Sequence, residues 1–225
     1  MGTIRWELII PSFQPLLKGT QVTIELTAGA VGIGIVLGLF LALMRLSSKR
    51  LLKGIAISYI DFFRGTPLLV QIFLAYYGLP QILNFTPPDN YKYIAAISAM
   101  GLNSGAYLAE IFRSGIQSID RGQTEAARSL GMTQTQAMWY IILPQAFKRV
   151  IPPLGNEFIA LLKDSSLVAL IALEDLMYSG KIIVGRTYQS FPIYIEVAFI
   201  YLAMTLVLSR IVSYTERRFG KSDIR

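Results

Sequence analysis

The sequence predicts an all-α, polytopic membrane protein with about five transmembrane helices. Composition, uncharged runs and the spacing of basic clusters carry that prediction. Of the 225 residues, 53 % are hydrophobic and only 16 % charged, and mean hydropathy is +0.50. An ordinary soluble domain carries about 25 % charge, so this chain cannot cover a globule with polar side chains. The same numbers exclude disorder. The chain has no cysteine and no histidine. Disulfides, thiolate metal sites and the usual general base are therefore excluded, and neither a metal nor a cofactor is expected. A net charge of +7 in so apolar a chain marks the anionic side of a membrane rather than nucleic acid.

A span needs about 20 mostly apolar residues. The first runs from Leu26 to Met44, after an amphipathic stretch, Trp6 to Leu17, that Pro11 and Pro15 interrupt and that reads as a surface helix or irregular lead. Basic residues follow this apolar core instead of preceding it, which predicts a retained span and not a signal peptide. The second span covers Leu52 to Leu83 and contains Asp61, Arg64 and Pro67; the third covers Tyr91 to Gly115. The fourth, Val150 to Leu173, holds Glu157, Lys163 and Asp164, and the fifth covers Phe191 to Ile211. Between them, Glu174 to Ser190 predicts a short surface or re-entrant helix. Basic clusters follow span one, separate spans three and four, and close the chain. With five spans they share one side, which places the N-terminus outside and the C-terminus in the cytoplasm.

The polar segment from Ser118 to Pro144 has its own punctuation. Asp120 caps a short helix through Glu125, Ala126, Ala127 and Arg128, and Gly131 supplies a left-handed stop. Thr133 and Gln136 form a capping box for a second helix, which Pro144 is expected to kink or end. On these residues alone, a rigid docking helix and a solvated connector both remain open.

Charges inside a bilayer are costly and usually face a cavity or a partner. Taking about 1.5 Å of rise per residue, Asp61, Arg64, Asn103, Glu110, Lys163 and Asp164 overlap in the middle and inner half of the membrane. Asp61, Arg64, Leu68, Gln71 and Ala75 follow one helical stripe, as do Asn103, Tyr107, Glu110 and Ser114, and Glu157, Ala160, Asp164 and Val168. They could line a solvated chamber. They could equally pair structurally, Arg64 with Asp61, Arg113 with Glu110 and Lys163 with Asp164. Pro67 after Gly65 and Thr66 marks either a broken helix with free backbone groups or a simple kink. Gly34-x-x-x-Gly38 is a close-packing motif, and Tyr76, Tyr77 and Tyr91 fit an interfacial belt.

Glu125-Ala126-Ala127, then Gly131, then Ile142-Leu143-Pro144 resembles the EAA motif of ABC importer permeases. Phe62 to Gln71 resembles the signature of the polar amino acid subfamily, and Lys163-Asp164-Ser165-Ser166-Leu167 resembles another of its elements. The resemblance covers about residues 19–213 and implies the type I permease fold in one domain, 1–225, with a coupling segment at about 118–144. It implies a multi-pass subunit of a prokaryotic cell membrane, importing polar amino acids with ATP hydrolysed elsewhere. The chain itself has no phosphate-binding loop of the Gly-x4-Gly-Lys type. The implied partners are two ATPase subunits, a second permease subunit of identical or similar sequence, and an external binding protein. Coupling residues are Glu125, Ala126, Ala127, Arg128 and Gly131. Substrate-binding candidates are Asp61, Arg64, Thr66, Gln71, Asn103, Tyr107, Glu110, Asp164, Ser165 and Ser166. Acids outnumber bases among the inner charges, which leans toward arginine, lysine or histidine as cargo. Glutamine or another neutral amino acid is the alternative, and an ion-conducting channel is the rival of a different class.

Overall fold

The structure, a computed structural model, describes residues 4–220, and every described regular element is helical. Lys221 and Arg225, which belong to the C-terminal basic cluster, lie outside the described residues. The main elements are α1 (Ile9–Leu46), α2 (Arg50–Gly65), α3 (Leu68–Phe73), α4 (Leu79–Leu83) and α5 (Tyr91–Gln117). They continue with α6 (Arg121–Ser129), α7 (Gln134–Ala137), α8 (Leu143–Asp164), α9 (Leu176–Thr187) and α10 (Ser190–Gly220).

Trp6–Leu46 and Ser190–Arg218 are each long and apolar enough to cross a membrane, and α2 with the following helix makes a third, bent by 103°. At about 1.5 Å per residue, α5 and α8 rise roughly 40 and 33 Å, enough to span, while their polar residues lower their hydropathy.

The expected interruption at Pro11 and Pro15 is absent: α1 is a single helix from Ile9 with Pro15 inside it. Pro11 lies in the first turn, where a helix has no N–H to lose. Pro15 forfeits one bond, and the helix holds because neighbouring Leu16 is fully buried against Leu176 and Val197.

Burying apolar surface gains little between helices already in lipid, so contact must come from close backbone approach. The α1–α5 crossing shows it. A Cβ on Gly34 would lie 2.8 Å from Ser104 Oγ, and one on Gly38 would lie 2.8 Å from Leu108 Cβ. Gly101 and Gly105 return the fit against Ile33 and Leu37. Two apolar clusters flank this crossing. One joins Leu26, Ile72, Met100, Leu161 and Ile171; the other joins Leu41, Ala56, Ile60 and Ala106.

Pro144 does not end the second helix of the polar segment, as expected from sequence. A π turn, Met138–Ile142, carries α7 into α8 without interruption. The wider i→i+5 turn relieves the clash of the Pro144 ring with the preceding turn. The same device recurs at Leu74–Gly78, where a π turn two residues before Pro80 carries α3 into α4. The fourth span also begins earlier than expected, at Leu143, and tightens into a 3-10 stretch, Ser165–Ile171.

Candidate functional site

The 103° bend falls at Thr66 and Pro67, which are both extended, with φ −120° and −64°. Pro67 cannot donate the bond that would continue α2, and it biases Thr66 out of the helical region. The single helical stripe expected for Asp61, Arg64, Leu68, Gln71 and Ala75 therefore does not exist, because the break separates its first two members from the rest.

Side chains hold the bend. Gln71, 5 % exposed, donates from Nε2 to Phe63 O at 2.9 Å, Thr66 O at 3.1 Å and Thr66 Oγ1 at 2.8 Å. Asn103 of α5, 7 % exposed, donates to Phe63 O at 3.1 Å and to Gln71 Oε1 at 3.0 Å. Thr66 Oγ1 donates to Phe62 O at 2.8 Å. A broken helix leaves carbonyls that must be satisfied inside the protein. Three expected substrate groups, Thr66, Gln71 and Asn103, spend their polar atoms on that task. Tyr59, which sequence reasoning missed, adds a bond from its hydroxyl to Leu102 O at 2.9 Å.

Below the bend lies a cluster of arginines. Glu110 accepts two bonds from Arg113, at 2.8 and 3.1 Å, and a further bond from Arg45 at the end of α1. The Arg113 pairing was one of the structural alternatives; Arg45 was not foreseen, being 65 positions away. Arg64 lies over the ring of Tyr107, 5.2 Å from its centroid, rather than on Asp61, which is exposed on α2.

On α8, Glu157 and Asp164 are seven residues apart and share one face. The charges of Asp164 and of Arg64 on α2 both act on Glu157. Asp164 is exposed. Ser165 is fully buried and donates to Leu162 O at 2.8 Å, so its hydroxyl closes the helix end; Ser166 is half-buried. Tyr91, expected at an interface, is 8 % exposed and donates to Ala75 O at 2.7 Å, clamping α5 to the helix after the bend.

The polar segment matches its local signals. Asp120 accepts from Gly122 N at 2.7 Å, Gly131 has φ +85°, and the Thr133–Gln136 box is closed in both directions. Gly131 N and Met132 N bond back to Arg128 O and Ala127 O, at 3.0 and 3.1 Å. Ala127 is buried, while Glu125, Ala126 and Arg128 are exposed and Leu130 is 84 % exposed. Arg128 also donates to Met132 O at 2.9 Å, which locks the turn. The exposed Trp139 and Tyr140 on the π turn extend this surface beyond the expected residues.

A helical bundle with apolar spans, one of them broken at a proline with charged side chains beside the break, and an exposed, capped short helix fits a membrane transport component. Residues 34–221 match the family of binding-protein-dependent transport system inner membrane components, and the chain belongs to that family. It is the permease subunit of an amino acid ABC importer, a multi-pass membrane protein. It is 40 % identical to the probable amino-acid permease protein YxeN of Bacillus subtilis (strain 168), covering 98 % of each chain. It is 38 % identical to the arginine transport system permease protein ArtQ of the same organism, covering 95 % of this chain and 96 % of that one. Relatives of similar identity are named for glutamine, cystine and glutamate/aspartate. A crystal structure of "an amino acid ABC transporter with histidines" is 47 % identical, with a TM-score of 0.91 over 96 % of this chain and 100 % of that one.

Proposed function

We propose that the imported amino acids are basic. The observation that carries this reading is the placement of charge around the bend. Arg45 and Arg113 both engage Glu110, so the four acids and four bases of this region balance in number. Glu157 and Asp164 nevertheless share one face of α8, and once the cargo's carboxylate occupies Arg64 that pair keeps only Lys163 among these bases. A cationic side chain on the cargo supplies the missing counter-charge; a neutral or acidic one does not. Arg64 and the backbone N–H groups that open α3 receive the cargo's carboxylate, and Glu157 with Asp164 receives its cationic side chain. The similarity to the arginine permease and to the transporter crystallised with histidines supports this reading.

In the same reading the N-terminus is outside and residues 118–144 are cytoplasmic. Glu125, Ala126, Ala127, Arg128 and Leu130 dock on an ATP-binding cassette subunit, one of two that hydrolyse the ATP. A second permease subunit closes the pathway and an external binding protein delivers the cargo. Uptake of labelled arginine into vesicles holding the whole transporter, in competition with histidine, glutamine and glutamate, tests the cargo. Arginine and histidine compete best in the native protein. Glu157→Gln and Asp164→Asn weaken that competition and leave glutamine uptake closer to native. Glutamate outcompeting arginine in the native protein refutes the charge argument. Uptake that survives an ATPase-dead partner refutes the importer reading in favour of a channel.

A further inference from the structure

An apolar groove of about 900 Å³ runs between α1 and α10, floored by Phe158 and Leu162 of α8. Trp6 and Phe191 meet edge to face at one end of it, with ring centroids 5.9 Å apart. From Glu196 to Leu208 it follows α10 for about 18 Å, close to the roughly 15 Å of one leaflet's hydrocarbon.

Two polar side chains, Thr20 and Glu196, interrupt this lining; Thr20 Oγ1 donates to Leu16 O at 2.9 Å. Glu196 is 7 % exposed; its Oε2 accepts from Ser12 Oγ, and its Oε1 is buried with no hydrogen-bond partner. It lies about 9 Å along α10 from its start; with that end of α10 at the membrane surface, this is near the depth where headgroup gives way to acyl chain. An orphaned carboxylate oxygen is costly there unless a donor reaches it.

The groove also faces away from the pathway. At 100° per residue, Phe158 and Leu162 sit about 100–160° around α8 from Glu157 and Asp164. A second permease subunit must cover the carboxylate face to close the pathway, which leaves the groove flank to lipid.

We propose that this groove holds one phospholipid, its acyl chain along α10, and that the Glu196 side chain turns toward the groove so that its orphaned Oε1 accepts from the headgroup ammonium. The lipid is a phosphatidylethanolamine-type molecule, because a primary ammonium carries hydrogens to donate and a choline headgroup has none. Its assignment to the outer leaflet rests on the orientation proposed above.

Photo-crosslinking tests it. The whole transporter, in vesicles, is irradiated with diazirine-bearing phosphatidylethanolamine, phosphatidylcholine or phosphatidylglycerol, and labelled peptides are mapped. Arginine uptake is measured in parallel, so that loss of the importer reading is seen separately. The ethanolamine lipid labels peptides within 9–24 and 195–208 about tenfold more than the choline lipid, the factor expected for one charge-assisted hydrogen bond. Glu196→Gln removes that headgroup preference while the groove stays labelled. Ala203→Trp, which fills the groove, lowers its labelling to the level of Val36 and Phe40 on the open lipid face. Equal labelling by all three lipids, at the same level as Val36 and Phe40, overturns the proposal. Because the chain has no cysteine, Ala203→Cys supplies a second arm. Efficient oxidation to a disulfide-linked pair of permease copies places a second copy on the groove and overturns it as well.

Discussion

Replacing Gln71 by leucine loosens the bend at Thr66 and Pro67 by an amount that follows from its bonds. Phe63 O keeps its bond from Asn103, and Thr66 Oγ1 keeps its donation to Phe62 O. Thr66 O loses its side-chain donor, and one donor of the Asn103 amide loses Gln71 Oε1. Two buried polar groups are thus orphaned at about 1–3 kcal/mol each, a loss of about 2–4 kcal/mol once partial relaxation is allowed. The local opening equilibrium shifts by about 30- to 700-fold. Hydrogen exchange of the assembled transporter in lipid nanodiscs, read on a peptide spanning Phe63 to Phe73, measures it. The informative amides are Val70 and Gln71, which donate to Pro67 O at 3.0 and 3.2 Å. Their exchange accelerates by that factor while peptides within residues 9–46 stay at native rates. Acceleration of less than about twofold refutes the idea that side chains hold the bend and returns that role to Pro67 alone. Asn103→Leu combined with Gln71→Leu costs less than the sum of the two single changes, because each leaves the other's partner orphaned.

Gly38→Leu drives α1 from α5, since even a Cβ would meet Leu108 Cβ at 2.8 Å and Gly105 O at 3.0 Å. Its melting temperature in detergent falls by several degrees, whereas Gly32→Ala, with nothing within 4 Å, leaves it unchanged. Gly131→Val strains a residue at φ +85° by about 1–2 kcal/mol. The subunit still inserts, and substrate-stimulated ATP hydrolysis by the assembled transporter drops; native stimulation reduces the turn to a connector. Lys92 Nζ bonds both Glu174 oxygens, at 2.8 and 2.7 Å, and this hydrogen bond holds the Glu174 carboxyl below the ordinary glutamate value. Its stabilisation is present at neutral pH, above the unfolded carboxylate's pKa, and is lost as pH falls through the lowered folded value. Glu174→Gln accordingly lowers stability slightly at pH 7 and flattens the acid limb of a stability-against-pH curve by the same small amount, the pair being partly solvent-exposed.

The features legible in the sequence are those whose cause is local. The Asp120 cap, the positive φ of Gly131, the Thr133–Gln136 box and the Gly34–Gly38 spacing all act within a few residues. The break at Pro67 was legible as one of two options, because ring chemistry forbids the next backbone bond without saying how far the chain turns. The polar residues beside it were legible as a set, but their employment was not. Gln71 and Asn103 are 32 positions apart, Arg45 and Glu110 are 65 apart, and Ser12 and Glu196 are 184 apart. Such pairs depend on which helices become neighbours, which periodicity does not reveal. Pro15 and Pro144 misled for a related reason. Each carries a local cost that tertiary packing or one widened turn absorbs.

The unbroken run from Gln134 to Asp164 rises about 45 Å. Near its middle, a Cβ on Gly115 would lie 2.3 Å from Val150 Cγ2, so α5 and α8 approach closely there. Roughly 24 Å of the rod lies on the Gln134 side of Val150 and roughly 21 Å on the Asp164 side. A stiff bar resting on a fulcrum near its midpoint returns a push with its direction reversed and its size nearly kept. Pro152 and Pro153 lie just beyond the fulcrum and remove ladder bonds there, so motion applied at the capped end emerges at the paired carboxylates as an opposite swing that flexing at these prolines reduces.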